Sequence, residues 1–80
     1  MEEIMRTKQN YLLIERLGVL SDCIASGCYP SRNTLMNKIE EKLGERISLA
    51  TLYRDIRFLR DRMSMNIQWD YYRGGYYIDK

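Results

Sequence analysis

The clearest helical pattern in the chain runs from Ser48 to Met63. Apolar residues recur there at spacings of four, three and four, which places them on one side of a helix: Leu52, Ile56, Leu59 and Met63. At about 100° per residue, the opposite side carries one small residue and three charged ones: Ala50, Arg54, Arg57 and Asp61. The pattern therefore predicts a helix with one face in a hydrophobic core and an arginine-bearing face outside.

Two more helices are predicted earlier in the chain, over residues 7–26 and 32–43. The charged start over residues 1–6 is expected either to be frayed or to extend the first helix. Gly27 fits a left-handed cap after the first helix, Ser31 is a suitable N-cap for the second, and Gly44 is placed to end it. Their apolar stripes are formed by Leu13, Leu17, Leu20 and Ile24 in the first helix and by Leu35, Ile39 and Leu43 in the second.

Local features of these segments carry further expectations. Gly18 lies inside the first helix at a cost in helix propensity, so we expect it to mark a close contact with a neighbouring element. The segment Tyr29-Pro30-Ser31 is expected to be extended, with a short strand as one outcome, because the residue before a proline avoids helical torsions. Ile47 is expected to anchor the following turn to the core, and Ser48 to cap the third helix.

A β-hairpin is predicted after the third helix. Residues 67–71 alternate between apolar and polar side chains, as in a half-buried strand, and residues 76–78 are expected to form the returning strand. Residues 72–75 form the expected turn, in which glycine supplies a positive φ. The predicted fold is therefore mainly α with a small β-hairpin, in the order of a winged helix-turn-helix: three helices plus a wing, as a single domain over residues 1–80.

The overall charge of the chain is mild. The net charge is +2 and the isoelectric point is about 8.6, whereas nucleic-acid-binding domains are often more basic. Residues 53–63 hold four arginines and two aspartates, a net charge of +2. The net charge of this one helix therefore equals the net charge of the whole chain.

The residue types that catalysis and metal binding need are scarce. The chain has no histidine, no glycine-rich phosphate loop, and only two cysteines, Cys23 and Cys28. We expect these thiols to be free, with a disulfide between them as the less favoured alternative. The sequence predicts no enzyme, no cofactor and no metal, and it has no apolar run of about 18 residues that would suggest a membrane span.

In a winged helix-turn-helix, the third helix lies in the major groove of double-stranded DNA and the wing contacts the adjacent backbone. Arg54 is the strongest candidate for a bidentate contact with guanine, because a guanidinium group matches the acceptor pair of that base. The candidate base contacts are Ala50, Thr51, Tyr53, Arg54 and Arg57, with Leu49 beside them. The candidate backbone and wing contacts are Ser31, Arg32, Ser48, Tyr72, Arg73 and Gly74.

Each assignment has a structural alternative. Arg54 and Arg57 are compatible with simple surface ion pairs to Asp55 and Asp61, and the capping serines need not touch a ligand. Phe58 lies away from the apolar stripe, so it either packs under the wing or forms an exposed apolar spot for a protein partner. A protein–protein interaction module is therefore the alternative function. Other expected structural roles are a core position for Trp69, an Arg16 stem lying over the core, and hairpin covering by Tyr71, Tyr72, Tyr76 and Tyr77.

Two segments of the chain, residues 51–60 and 69–78, carry a resemblance to a known family. The first, TLYRDIRFLR, and the second, WDYYRGGYYI, resemble the N-terminal winged helix-turn-helix of WYL-domain transcriptional regulators, close to DeoR-type domains. In that family a Thr-hydrophobe-Tyr/Gln-Arg-Asp-hydrophobe segment opens the recognition helix, and the wing ends in Gly-Tyr-hydrophobe. The resemblance covers about residues 11–78.

The resemblance implies a bacterial DNA-binding regulator in the cytoplasm, associated with the nucleoid. It further implies a C-terminal WYL domain that senses a ligand, so we expect this chain to be an isolated DNA-binding fragment or a product that stops early. The oligomeric state is open, with a homodimer built by other parts of the full-length protein as one outcome. Two departures weaken the match. The turn over residues 44–48 is two residues longer than usual, and Leu49 and Ala50 stand where relatives often carry basic residues. Arg54 matches the motif, whereas Arg57 and Arg73 follow it less closely.

Overall fold

The computed structural model of the protein describes the backbone of residues 2–79 and the side chains of residues 11–79. Three helices precede one antiparallel hairpin, and this confirms the predicted fold class. The elements are α1 (Glu2–Ala25), α2 (Arg32–Leu43), α3 (Leu49–Arg62), β1 (Ile67–Asp70) and β2 (Gly75–Ile78). Within the described residues, no helix has the length and apolar character needed to cross a bilayer.

The predicted caps set the boundaries of α2 and α3. Ser31 Oγ accepts a hydrogen bond from the Thr34 amide, and Ser48 Oγ accepts one from the Thr51 amide, each at 3.2 Å. Gly44 ends α2 with a φ of 66°, in the left-handed region. These local signals were sufficient for the sequence to place both helices to within one residue.

α1 begins at Glu2 and ends at Ala25, so the charged start extends the first helix, which was one of its two expected outcomes. One expectation for α1 fails. Gly18 marks no close contact, because a Cβ added there would meet nothing within 4 Å. The prediction of a close neighbour at Gly18 was therefore wrong, and this glycine lies on an exposed part of the helix.

The core lies where the three helices meet the base of the hairpin. Ile47 anchors the α2–α3 turn as predicted, and Ile67 and Tyr76 bring the hairpin into the same cluster. Met63 was expected in the core but is 59% exposed, because α3 ends at Arg62 and the chain turns away there. Among residues 11–79, the buried apolar residues are Leu20, Ile24, Leu35, Ile39, Ile47, Leu52, Ile56, Leu59, Ile67 and Tyr76.

The segment over residues 29–31 is a loop, and the expectation of an extended stretch or strand was wrong for Tyr29. Tyr29 has a φ of 55°, whereas its local preference before a proline is extended. Tertiary contacts account for the difference. The Pro30 carbonyl accepts a hydrogen bond from the Tyr76 amide at 2.9 Å, and the Tyr29 ring packs against Tyr77 with 5.6 Å between centroids.

The hairpin turn lies one residue earlier than predicted. Asp70 pairs with Gly75, and the turn therefore occupies residues 71–74, whereas residues 72–75 had been expected. Gly74 supplies the positive φ, 65°, but Gly75 is required for a different reason. A Cβ on Gly75 would lie 1.8 Å from the Tyr29 carbonyl oxygen, so the wing is seated directly on the α1–α2 loop.

Candidate nucleic-acid interface

The orientation of α3 is fixed by its apolar face and by one buried ion pair. Asp55 is only 2% exposed, and its Oδ2 accepts a hydrogen bond from Arg16 Nε of α1 at 2.8 Å. Arg16 Nη2 lies 3.4 Å from the other carboxylate oxygen, which makes the contact bidentate. The opposite face of α3 is therefore held outward.

Sequence reasoning missed this ion pair, although a signal for it was present. Asp55 lies three residues after Leu52 and four before Leu59, so it belongs to the apolar face of α3. Arg16 had been placed on the apolar side of the first helix with its stem over the core. A carboxylate and a guanidinium group on two facing apolar stripes would have predicted their pairing.

Most of the candidate base contacts lie on the exposed face of α3. Ala50, Tyr53, Arg54 and Arg57 are exposed, and Leu49 beside them is 45% exposed. Thr51 is the exception. It is half-buried, and its hydroxyl oxygen lies 3.1 Å from Ser48 Oγ, within hydrogen-bond distance.

Arg54 and Arg57 do not form the surface ion pairs with Asp55 that were the structural alternative, because Asp55 pairs with Arg16. Among residues 11–79, whose side chains are described, neither arginine makes an ion pair with Asp61 or with another carboxylate. Both guanidinium groups are therefore available to an external acceptor.

Arg32 and Tyr53 are brought together across the α2–α3 junction. Arg32 Nη1 donates a hydrogen bond to Tyr53 Oη at 2.7 Å, and the guanidinium carbon lies 5.8 Å from the centroid of the Trp69 ring. The hydrogen bond to Tyr53 raises the pKa of Arg32 above its ordinary value. The Arg32 guanidinium group is therefore held in a fixed orientation between the start of α2, the face of α3 and the wing.

Trp69, expected in the core, is half-buried and packs edge-on against Tyr76.

An open groove of about 420 Å³ connects these elements. The backbone amides of Arg32 and Asn33 precede the first intrahelical hydrogen bond of α2, which the Leu35 amide donates to the Ser31 carbonyl. Such amides and the helix dipole favour anions at this end of a helix. The groove is lined by Ser31, Arg32, Asn33, Leu49, Trp69 and Gly74.

The side chains of the two capping serines, Ser31 and Ser48, make hydrogen bonds within their own helices. Ser31 Oγ and Ser48 Oγ both accept from backbone amides of their own helices, and each lies within hydrogen-bond distance of a threonine hydroxyl. Their side chains therefore serve as caps. Any anion at these positions would be bound by the neighbouring backbone amides.

Arg73 folds back onto the wing. Its Nη1 lies 3.2 Å from Asp70 Oδ2, and its guanidinium carbon lies 4.3 Å from the centroid of the Tyr29 ring. Asp70 Oδ1 also accepts from the amides of Tyr72 and Arg73, at 2.8 and 2.9 Å. The Arg73 amide hydrogen bond is the main cause that lowers the pKa of Asp70, with the Tyr72 amide and the Arg73 side chain adding to it. The Arg73 side chain remains 60% exposed, so it can still meet a phosphate.

The wing tip carries two aromatic side chains in solvent. Tyr71 is 90% exposed and Tyr72 is fully exposed, so neither covers the hairpin as expected. Tyr76 is buried and Tyr77 half-buried, and these two do pack on the hairpin. The difference follows from the shifted turn, which places Tyr71 and Tyr72 within the turn itself.

Phe58 lies against α1 and not under the wing. It is 39% exposed and, with Leu13, it lines a shallow groove of about 270 Å³ between α1 and α3. Arg54, Arg57 and Arg62 lie around the same groove. This matches the exposed apolar spot that was one of the two expectations for Phe58.

The thiols lie apart from this face. Cys23 and Cys28 are free and line a separate groove between α1 and α2. Within the described residues, no group of three or more histidine, cysteine, aspartate or glutamate side chains could hold a metal ion. Comparison with protein-family models, with curated proteins and with solved structures finds no match to this chain.

Proposed function

We propose that the protein binds double-stranded DNA sequence-specifically, as the DNA-reading module of a bacterial transcriptional regulator. The observation that carries this proposal is the outward face of α3, where Arg54 and Arg57 are exposed while Asp55 of the same helix is buried on Arg16. A helix with this division of faces presents two guanidinium groups, and Asp55, which lies between them in sequence, faces the core. An exposed α-helix of this kind fits the width of a major groove.

The candidate residues on α3 would contact the bases of the DNA in different ways. Arg54, nearer the start of α3, would donate two hydrogen bonds to the O6 and N7 acceptors of a guanine. Arg57, one turn further along, would reach a second base or a phosphate. Ala50 would allow close approach of the backbone and would meet a thymine methyl group, and Tyr53 would contact a base edge while it holds Arg32.

Phosphate contacts would position the helix without selecting sequence. Arg32 and the first amides of α2 border the groove that leads from α3 to the wing, and they favour an anion there. Arg73 and Tyr72 would meet the backbone from the wing, and Gly74 leaves room for its close approach. The same proposal includes three further features, which follow from the family resemblance. They are a homodimer, a C-terminal WYL effector domain, and a location in the cytoplasm at the nucleoid.

The experiment begins with selection of bound sequences from a pool of random DNA duplexes. We expect one preferred sequence, and a palindromic result would in addition indicate a dimer. The selected duplex is then titrated with Arg54→Ala and Arg57→Ala. A base-reading arginine is worth about 1–3 kcal/mol of discrimination, so at least one variant should lose binding to the selected sequence by roughly five- to 150-fold.

Arg62→Ala is the matched control, because it removes the same charge from the exposed end of the same helix. It should weaken selected and random duplexes equally, and by less. Circular dichroism establishes that each variant is folded. If both Arg54→Ala and Arg57→Ala bind the selected duplex as well as the unaltered protein does, α3 is not the recognition helix.

A second candidate function is binding of a protein partner through the Phe58 groove. The exposed Phe58 ring next to Leu13 supports it, in a groove that arginines and Asp61 also line. Salt dependence separates the two functions, because contacts to several phosphates weaken steeply with ionic strength. DNA binding that is absent, or indifferent to salt, would favour the protein partner.

A further inference from the structure

The wing tip exposes more aromatic surface than the hairpin needs for its own packing. Tyr71 and Tyr72 are adjacent, and both lie almost wholly in solvent. A tyrosine ring buries a large apolar area when it finds a partner, so two neighbouring rings left in water favour binding of a flat, apolar surface.

The backbone that carries these rings is held from both sides. Asp70 accepts from the Tyr72 and Arg73 amides, and Arg73 returns to the same carboxylate. On the other side of the turn, Gly75 contacts the Tyr29 backbone. The tip is therefore ordered before any ligand arrives, which reduces the entropy lost on binding.

The tip is continuous with the surface assigned to DNA. Gly74, the last residue of the turn, lines the same groove as Arg32 and as Leu49 at the start of α3. Trp69 of β1 borders that groove as well. A duplex lying on α3 would thus pass beside the wing, with Tyr71 and Tyr72 at its edge.

We propose that Tyr71 and Tyr72 stack on nucleotide bases that are unpaired or easily unstacked, next to the duplex segment bound by α3. This inference rests on the proposed DNA-binding function and specifies its substrate: a duplex adjoining a mismatch, a bulge or a flexible step. Every base presents a π-face, so the contact tolerates any sequence. Unstacking costs least where pairing is already lost, and the preference follows from that difference.

The test uses two DNA molecules that share the selected α3 sequence. One is fully paired, and the other carries two unpaired nucleotides beside that sequence on the wing side, one of them the fluorescent base 2-aminopurine. The unaltered protein should bind the second DNA about tenfold more tightly, since stacking of a single base on an aromatic ring is worth roughly five- to 150-fold. The fluorescence of the 2-aminopurine should fall as it stacks on a tyrosine ring.

Matched variants separate the rings from their hydroxyl groups and from general surface effects. Replacement of both residues, Tyr71→Ala with Tyr72→Ala, should abolish the preference and the fluorescence change, because stacking on an unpaired base is the interaction removed. Tyr72 is also a proposed backbone contact, so this variant should bind the paired duplex more weakly as well, and the ratio of the two affinities is the quantity compared. Tyr71→Phe with Tyr72→Phe should retain the preference, because the rings remain. Tyr11→Ala, at an exposed tyrosine of α1, should have no effect.

Equal affinity of the unaltered protein for the two DNA molecules would overturn the inference, as would a preference that survives the double alanine variant. Tighter binding to the isolated single strand than to either DNA would also overturn it. These failures differ from a failure of the proposed function. If the paired duplex is bound in an Arg54-dependent manner but the preference is absent, DNA reading by α3 stands and stacking by the wing does not.

Discussion

Gly75 lies against the backbone of Tyr29 so closely that a Cβ at this position would come within 1.8 Å of the Tyr29 carbonyl oxygen. The neighbouring hydrogen bond from the Tyr76 amide to the Pro30 carbonyl reinforces the same contact. The wing is therefore joined to the loop between α1 and α2 by backbone atoms. Its position relative to α3 depends on a residue without a side chain.

Gly75→Ala should destabilise the protein by about 3 kcal/mol, because a buried backbone contact cannot yield as a flexible side chain can. Gly18→Ala is the matched control with the opposite sign. It lies in the exposed part of a helix with open space around it, and should stabilise by about 0.5–1 kcal/mol. Urea denaturation followed by circular dichroism measures both. A Gly75→Ala protein as stable as the unaltered one would mean that the wing is not seated on this loop.

The Arg16–Asp55 pair should behave as a buried ion pair whose loss exposes an unpaired charge. Asp55→Ala should lower the free energy of unfolding by about 3 kcal/mol, because Arg16 would remain largely buried without its partner. Replacement of both residues, Arg16→Met with Asp55→Leu, should recover most of that loss. Chemical denaturation of the two variants and of Asp61→Ala, an exposed aspartate of the same helix, tests this. A double variant that is no more stable than Asp55→Ala would contradict it.

Periodicity and capping residues were enough to predict the elements of the fold. The apolar stripes gave the helices, and Ser31, Ser48 and Gly44 gave their ends, because these signals act within a few residues of one another. Met63 shows the limit of periodicity, which continues an apolar stripe past the point where the helix stops.

Features that depend on contacts between distant segments could not be predicted in the same way. Tyr29 adopts a left-handed torsion because the wing packs on it, and Asp55 is buried because Arg16, 39 residues earlier, is there to meet it. For the candidate site, angular position on α3 was sufficient to place Arg54 and Arg57 outward. The exposure of Tyr71 and Tyr72 depends on where the turn begins, and the turn predicted from the sequence began one residue too late.

The pH dependence of stability should contain a contribution from Asp70. Its hydrogen bonds lower the pKa of the carboxyl group below the ordinary value of 3.8, so in the acid range the unfolded chain binds the proton more readily than the folded one. The contribution of Asp70 to the free energy of unfolding is therefore fully present above about pH 4 to 5, and it is lost as the pH falls through the folded-state pKa of Asp70.

Carbon-13 NMR titration of the Asp70 carboxyl group should give a pKa below 3.8. The Asp70→Asn variant, which keeps an acceptor oxygen but has no charge, should show a smaller loss of stability on acidification than the unaltered protein. Parallel acid-denaturation curves for the two proteins would be inconsistent with a role for this carboxylate in ordering the wing.

Arg32 and Tyr53 form a pair in which the two members should affect DNA binding differently. Arg32 carries the charge beside the groove, whereas Tyr53 holds it in place through one hydrogen bond at 2.7 Å. If Arg32 contacts a phosphate, Arg32→Ala should weaken all duplexes alike and reduce the slope of log K against log salt by about 0.9, the value for one phosphate contact.

Tyr53→Phe keeps the charge and the ring but removes the hydrogen bond. It should leave the free energy of unfolding within about 0.5 kcal/mol of the unaltered value, because the pair is at the surface. The salt slope should be unchanged, and affinity should fall only modestly, because an unrestrained Arg32 must lose more side-chain freedom to reach the phosphate. Titrations at several salt concentrations measure both slopes. An unchanged slope for Arg32→Ala would exclude Arg32 from the phosphate contacts and would leave its hydrogen bond to Tyr53 as a purely structural link between α2 and α3.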